Sequence, residues 1–148
     1  MRLQGHALAV NLPPSWEGRI FRHHGGEATL HAANFALPAE DGDYGAKATG
    51  SMGSRGAFVA LTEFEPELTD TALFHHRGMP RKIRPAELSP RTMMRTRPGQ
   101  AGMQRFFREQ GRAFCLYVVV GTEPSRTRLC HAVNDVLASV EIQRRPES

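Results

Sequence analysis

The sequence predicts an α+β domain in which a single antiparallel sheet of about five to seven strands is covered by a C-terminal helix. Two runs, residues 57–64 and 113–120, are rich in β-branched and aromatic residues, as buried strands are; the second is uncharged throughout, and the first is apolar on both sides until Glu63. Residues 126–140 carry an apolar stripe with helical period. The chain has 148 residues, which fits one domain spanning 1–148.

Residues 113–120 form the most hydrophobic run, and we expect this strand to lie near the middle of the sheet, beside residues 57–64. Side chains alternate along a strand, so both faces of this one need cover. One face would hold Phe114, Leu116, Val118 and Val120, and the other Ala113, Cys115, Tyr117 and Val119. Residues 102–109 precede it across Gly111, which predicts an antiparallel hairpin with positive φ at the glycine.

The first half of the chain gives shorter strand signals. Residues 7–12 alternate and stop at Pro13-Pro14, residues 19–23 make a possible return strand, and residues 29–37 make a third. The glycine-rich stretch 38–56 is predicted to be a loop with one helical turn around 44–49. Such a loop can wrap a phosphate, but it lacks both known phosphate-binding spacings, and turn chemistry explains its glycines. Prolines interrupt residues 65–98, so short strand pieces and loops are expected there.

The last segment predicts a helix with Thr122 or Ser125 as N-cap, running to about Ser139. Its apolar residues repeat at i, i+4, i+7 and i+8, so one face is expected to cover the sheet. That face holds Leu129, Val133, Val136, Leu137 and Val140, while His131, Asn134 and Asp135 fall on the opposite, exposed side.

Charge is unevenly distributed along the chain, whose net charge is +4. The segment from Arg77 to Arg112 has a local balance of +8, and the segment from Glu17 to Asp70 has −5. This asymmetry indicates either an acidic partner for the later segment or two halves that face each other within the fold. The candidate partner-binding residues are Arg81, Arg84, Arg91, Arg95, Arg97 and the single tryptophan, Trp16. For Trp16 the alternative is that it seals the edge of the core.

No catalytic or cofactor motif is present, and we expect no cofactor. Seven histidines include the adjacent pairs His23-His24 and His75-His76, but metal-binding spacings are missing, so a site would require distant histidines to converge with Asp41 or Asp43. No metal ligand is therefore assigned. Cys115 and Cys130 are expected to be two buried thiols, with a strand-to-helix disulfide as the alternative.

Three stretches of the sequence resemble the PsbP-like superfamily. They are Leu12-Pro13-Pro14-Ser15-Trp16 after an N-terminal strand, the Arg105-Phe106-Phe107 hairpin through Gly111-Arg112, and the closing helix through residues 136–142. The superfamily includes photosystem extrinsic proteins, Ran-GTPase-binding proteins and bacterial lipoproteins or secretion chaperones. The resemblance implies an antiparallel sheet with helical cover and a binding or scaffolding role. Its members share no common site, so it assigns no residue a role.

The function expected first is a non-enzymatic protein-binding or scaffolding module. The alternatives are an adaptor for nucleic acid or another polyanion through the segment from Arg77 to Arg112, and a small metal-dependent enzyme built on the histidines. No apolar run reaches the length of a membrane span or a signal peptide, so a cytoplasmic location is expected. The sequence leaves the oligomeric state open.

Overall fold

The computed structural model describes residues 1–93, 97–121 and 126–145. Within these ranges the chain forms eight strands and two α-helices. In chain order they are β1 (Arg2–Gly5), β2 (Leu8–Asn11), β3 (Glu17–Arg22), β4 (Ala28–Ala33), α1 (Ala46–Ser51), β5 (Ala57–Phe64), β6 (Ala101–Glu109), β7 (Arg112–Val120), α2 (Arg126–Ser139) and β8 (Glu141–Ile142). The predicted α+β class is confirmed.

The strands form two antiparallel sheets, so the prediction of a single sheet was wrong. The larger has the order β3-β4-β5-β7-β6 and the smaller β1-β2-β8. The first hairpin has strands of only four residues, and Pro13-Pro14 follows it with no backbone N–H to continue the pairing. Leu8, Val10 and Leu12 instead join the core that the large sheet shares with α2.

The buried run β7 lies between β5 and β6, as predicted, and β5 occupies the centre of the sheet. The pairing with β5 runs from Ala57↔Val120 to Phe64↔Ala113. The predicted hairpin with β6 also forms, and Glu109 pairs with Arg112 at its turn. Both turn residues have positive φ, 55° at Gln110 and 70° at Gly111, which is the geometry of a tight two-residue turn.

Each face of the large sheet packs against its own core. Leu116, Val118 and their neighbours on one face belong to a core cluster with the apolar stripe of α2. On the other face, Tyr117 and Val119 pack with Ala48 and Met52 of α1 and its flank. The alternation predicted for β7 is therefore confirmed. Cys115 and Cys130 are both buried, free thiols, as expected.

The helix α2 ends at Ser139, as predicted, and the N-cap candidates Thr122 and Ser125 lie outside the described residues. Its predicted stripe is buried, including Val136 and Leu137. The expectation that Asn134 is simply exposed was wrong. Its Oδ1 accepts a hydrogen bond of 2.8 Å from the Ile83 N–H, and its Nδ2 donates one of 3.0 Å to the Ile83 carbonyl. A loop from 51 residues earlier therefore packs on this side of the helix.

The loop 38–56 contains α1, close to the predicted helical turn. Both carboxylate oxygens of Asp41 accept hydrogen bonds from backbone N–H groups, those of Gly42, Lys47 and Ala48, at 2.8–3.0 Å. Gly45 has φ of 67°, and a Cβ there would lie 2.1 Å from the Phe58 ring. Any other residue at position 45 would have a strained backbone and would clash with the Phe58 ring.

Candidate basic surface

The basic segment, residues 77–93, runs along the free edge of β6 as loops and short 3₁₀ turns rather than strand pieces. Two 3₁₀ turns, Pro66–Leu68 and Ala72–Phe74, precede the segment, and two more, Pro85–Glu87 and Pro90–Thr92, lie within it. A proline opens both turns that lie wholly in the segment, where its missing N–H costs no helical hydrogen bond.

Three contacts attach the basic segment to the rest of the fold. The Met79 N–H donates to the Glu109 carboxylate at 2.9 Å. Ile83 is held by Asn134 through both of its backbone groups. Ser89 exchanges two backbone hydrogen bonds with Gly102 of β6, at 2.8 and 3.0 Å. The backbone between these points is therefore tied to α2 and to the sheet.

Arg84 and Arg91 point out of this attached backbone. The Arg84 side chain is 76% exposed, and its Nε lies 4.0 Å from Glu87, at the limit of an ion pair. Arg91 is exposed, and its backbone N–H donates to Ser89 Oγ at 3.1 Å. Lys82 is exposed too. Sequence reasoning misses Lys82 as a site residue, although an apolar Ile83 flanked on both sides by the cations Lys82 and Arg84 is a usable signal.

Arg81 has a different position from these two arginines. Its Nη1 donates to the carbonyls of Leu137, at 3.3 Å, and of Val140, and its Nη2 lies 3.5 Å from Glu109. A cation bound to the last carbonyls of a helix satisfies acceptors that lack an intrahelical partner. Arg81 thus joins the basic segment to the C-terminal end of α2.

The remaining candidates are scattered. Arg97 is half-buried beside α1, where a side chain at position 50 would lie 3.0 Å from its Nη2. Arg95 lies outside the described residues. Trp16 is half-buried and packs against the main core with Leu3 and Ile20, which is the arrangement of the edge-sealing alternative.

Three arginines that follow the basic segment in sequence form ion pairs with acidic residues of the same chain. Arg105 forms an ion pair with Glu87, and Arg108 lies 3.3 Å from Asp70. Arg112 pairs with Glu63 at 2.8 Å, deep in the fold. The two oppositely charged parts of the chain therefore meet in at least two places, and only some of the arginines face outward.

The Glu63–Arg112 pair joins the two sheets. Arg112 is 1% exposed, and besides Glu63 it donates to the carbonyls of His6, Ala7 and Gln143 at 2.8–3.0 Å. Burial raises the pKa of Glu63, but hydrogen bonds from Arg112 and Arg145 outweigh it and hold that pKa below its ordinary value. His6 and Ala7 have positive φ in the first hairpin, so Arg112 also fixes a turn that lacks glycine.

Two histidines converge on Asp43. His31 is buried between the rings of Phe21 and Phe58, and its Nε2 lies 2.8 Å from the Asp43 carbonyl, so this nitrogen carries the proton. His23 Nε2 lies 3.4 Å from Asp43 Oδ1. Across the described ranges there is nevertheless no group of three or more His, Cys, Asp or Glu side chains that could hold a metal ion.

The cysteines and Tyr44 lie in surroundings that keep them uncharged. Burial raises the pKa of Cys115 to about 11 and also raises the pKa of Cys130. Burial likewise raises the pKa of Tyr44. Since the thiolate is the reactive form of cysteine, neither thiol has the setting of a nucleophile.

In the described part of the chain no helix is long and apolar enough to cross a membrane. Comparison with protein-family models, with curated proteins and with solved structures finds no match for this chain. The resemblance to PsbP-like proteins therefore stays a prediction.

Proposed function

We propose that this chain is a non-enzymatic protein-binding module that docks an acidic surface of a partner through Arg84 and Arg91, with Lys82 beside them. The observation that carries the proposal is that these exposed cations stand on a backbone attached at Met79, Ile83 and Ser89. Side chains on a fixed backbone lose less conformational entropy on binding than those on a mobile loop, which favours affinity. Arginine is also enriched at binding hot spots.

The test compares capture of partners from the native host by the wild-type chain and by the Arg84→Glu/Arg91→Glu variant. A matched control, Arg55→Glu/Arg144→Glu, makes the same change in net charge at two exposed arginines outside the basic segment. We expect the first variant to lose the captured protein and the control to retain it, with thermal stability unchanged in both because exposed substitutions cost about 0.5 kcal/mol or less. Equal capture by the two variants would reject the proposal.

The same experiment, repeated with nuclease, separates the polyanion alternative. An adaptor for nucleic acid would lose its captured material after nuclease treatment, and its binding would weaken steeply with salt because each neutralised phosphate releases counterions. A protein partner would resist nuclease. Loss of capture after nuclease would therefore replace a protein by nucleic acid as the ligand of the same arginines.

A further inference from the structure

The two outer strands of the large sheet differ in what lies beside them. Strand β6 is bordered by residues 76–89, which bond to its backbone. The Arg108 N–H donates to the His76 carbonyl at 2.8 Å, and Gly102 exchanges two hydrogen bonds with Ser89. Strand β3, at the other end of the sheet, has β4 as its only backbone partner within residues 1–93, 97–121 and 126–145. Its outward edge is therefore unpaired in this part of the chain.

The backbone groups on this edge are identified by alternation. Successive residues of an antiparallel strand bond in turn to the strand on one side and to the strand on the other. The Asn34 N–H, just after β4, donates to the Ala57 carbonyl of β5 at 3.2 Å, so residues 29, 31 and 33 of β4 bond toward β3. Their partners in β3 are the residues 17, 19 and 21. The N–H and C=O groups of Gly18, Ile20 and Arg22 consequently point outward.

The edge of β3 is accessible. Each residue of β3 is exposed or half-buried, whereas every residue of the neighbouring β4 is buried. Glu17 Oε1 accepts the Leu37 N–H at 3.1 Å, and Arg19 Nη1 donates to the Ala39 carbonyl at 3.0 Å. Glu17 and Arg19 lie on the same face of the strand, so these contacts hold the loop over that face and use no backbone group of β3. The strand also contains neither a proline nor a bulge, which are devices that block an edge.

A second β3 strand fits this edge in one register. Antiparallel pairing about a twofold axis at Ile20 places Ile20 opposite its own copy and Gly18 opposite Arg22, so all three outward residues pair. Moving the axis by one residue leaves only two such pairs, and an axis at Arg19 would bring two Arg19 side chains together. The centred register instead places Arg19 opposite Phe21 and Glu17 opposite His23. No like charges meet, and a guanidinium beside an aromatic ring is favourable.

We propose that the chain forms a twofold-symmetric dimer in which two copies of β3 pair antiparallel and join the two five-stranded sheets into one. The basic segment borders the opposite end of the sheet, so the dimer leaves it open and is independent of the proposed partner binding. Pairing of one six-residue strand buries less than the roughly 1,200–2,000 Å² of a standard interface. We therefore expect weak association, with a Kd between ~10 µM and ~1 mM.

The test combines sedimentation equilibrium with amide hydrogen exchange of the wild-type chain at ~10 µM and ~1 mM. We expect the average mass to rise from that of one chain toward that of two. The amides of Gly18, Ile20 and Arg22 should exchange several-fold more slowly at the higher concentration, because they gain acceptors in the second copy. The amides of Arg19 and Phe21 should be protected at both concentrations, because they bond to β4.

A proline on the edge provides the matched variants. Arg22→Pro removes an outward N–H and no bond to β4, so it should stay monomeric at both concentrations. Gln4→Pro is the control on the free edge of the small sheet, where Gly5 pairs with Leu8 across a two-residue turn and Gln4 therefore points outward. We expect Gln4→Pro to dimerise like the wild type. Unfolding temperatures establish that both variants are folded.

Four results would overturn the proposal. They are a mass of one chain at both concentrations, concentration-dependent protection at amides other than the three outward ones of β3, dimerisation of a folded Arg22→Pro variant, and equal loss of dimerisation in the two proline variants. The first would leave a strand of another protein as the occupant of the edge. The exchange measurement on the wild type needs no variant, so it decides the question even if Arg22→Pro does not fold.

Discussion

The Asn134→Ala substitution should destabilise the fold, although the position lies on the side of α2 away from its apolar stripe. The side chain satisfies both backbone groups of Ile83, which is itself 2% exposed. After truncation the Ile83 carbonyl still accepts from the Cys130 thiol at 3.2 Å, but the Ile83 N–H loses the Asn134 Oδ1 as its acceptor. A buried donor without a partner costs about 1–3 kcal/mol.

The substitution also has a small favourable effect, because alanine has the better helix propensity by roughly 0.6 kcal/mol. The net expectation is a loss of about 0.5–2.5 kcal/mol in the free energy of unfolding. The adjacent Asp135→Ala is the matched control, since Asp135 is exposed and gains the same propensity. Asp135→Ala should therefore be neutral or should stabilise the fold by no more than about 0.6 kcal/mol.

Urea denaturation of the wild type and the two variants measures these differences. Equal free energies of unfolding for Asn134→Ala and Asp135→Ala would refute the reasoning, because Asn134 would then contribute no more than an exposed residue. A more stable Asn134→Ala variant would refute it as well. A reduced dependence on urea, by contrast, would indicate that the basic segment has detached before global unfolding.

Three further predictions concern the core. Leu137→Ala should leave a cavity and lower the free energy of unfolding, measured by urea denaturation, by about 2–4 kcal/mol. Leu73→Ala, at an exposed leucine, should lower it by about 0.5 kcal/mol or less. Similar losses in the two variants would mean that α2 is not packed on the sheet. Glu63→Gln should cost about 3–5 kcal/mol, because it leaves Arg112 buried without its charge partner, and a change within measurement error would contradict that network. Burial lowers the pKa of His31 in the folded chain below its ordinary value of 6.5, so the contribution of its neutral form to stability is present above that pH and is lost as the pH falls below it. A His31→Phe variant should therefore lose less stability than the wild type between neutral pH and pH ~5. An identical dependence of stability on pH in the two proteins would contradict a lowered pKa of His31.

The parts of the fold that sequence reasoning predicted well are those with a strong periodic signal. The strand Ala57–Phe64, the hairpin turn at Gly111 and the end of α2 at Ser139 follow directly from apolar runs, turn residues and helical spacing. The strand Arg2–Gly5 has no such pattern and was missed. Its pairing with Leu8–Asn11, and the separate sheet that results, depend on tertiary packing rather than on local sequence.

The candidate site was predictable in composition but not in geometry. A run of basic residues indicates a basic segment, yet it does not reveal that Arg81 binds the end of α2 or that Arg112 is buried against Glu63. These contacts join residues far apart in sequence, so no local spacing reports them. The role of Asn134 was hidden for the same reason, because its partner belongs to a loop rather than to the sheet.

The central claim is that the exposed arginines stand on a backbone held in place by α2, and amide hydrogen exchange at Ile83 tests it most directly. The account predicts that the Ile83 amide is protected in the wild type and that Asn134→Ala removes this protection while the amides of the strand Arg112–Val120 keep theirs. Exchange of the wild-type Ile83 amide at the rate of an unstructured peptide would contradict it.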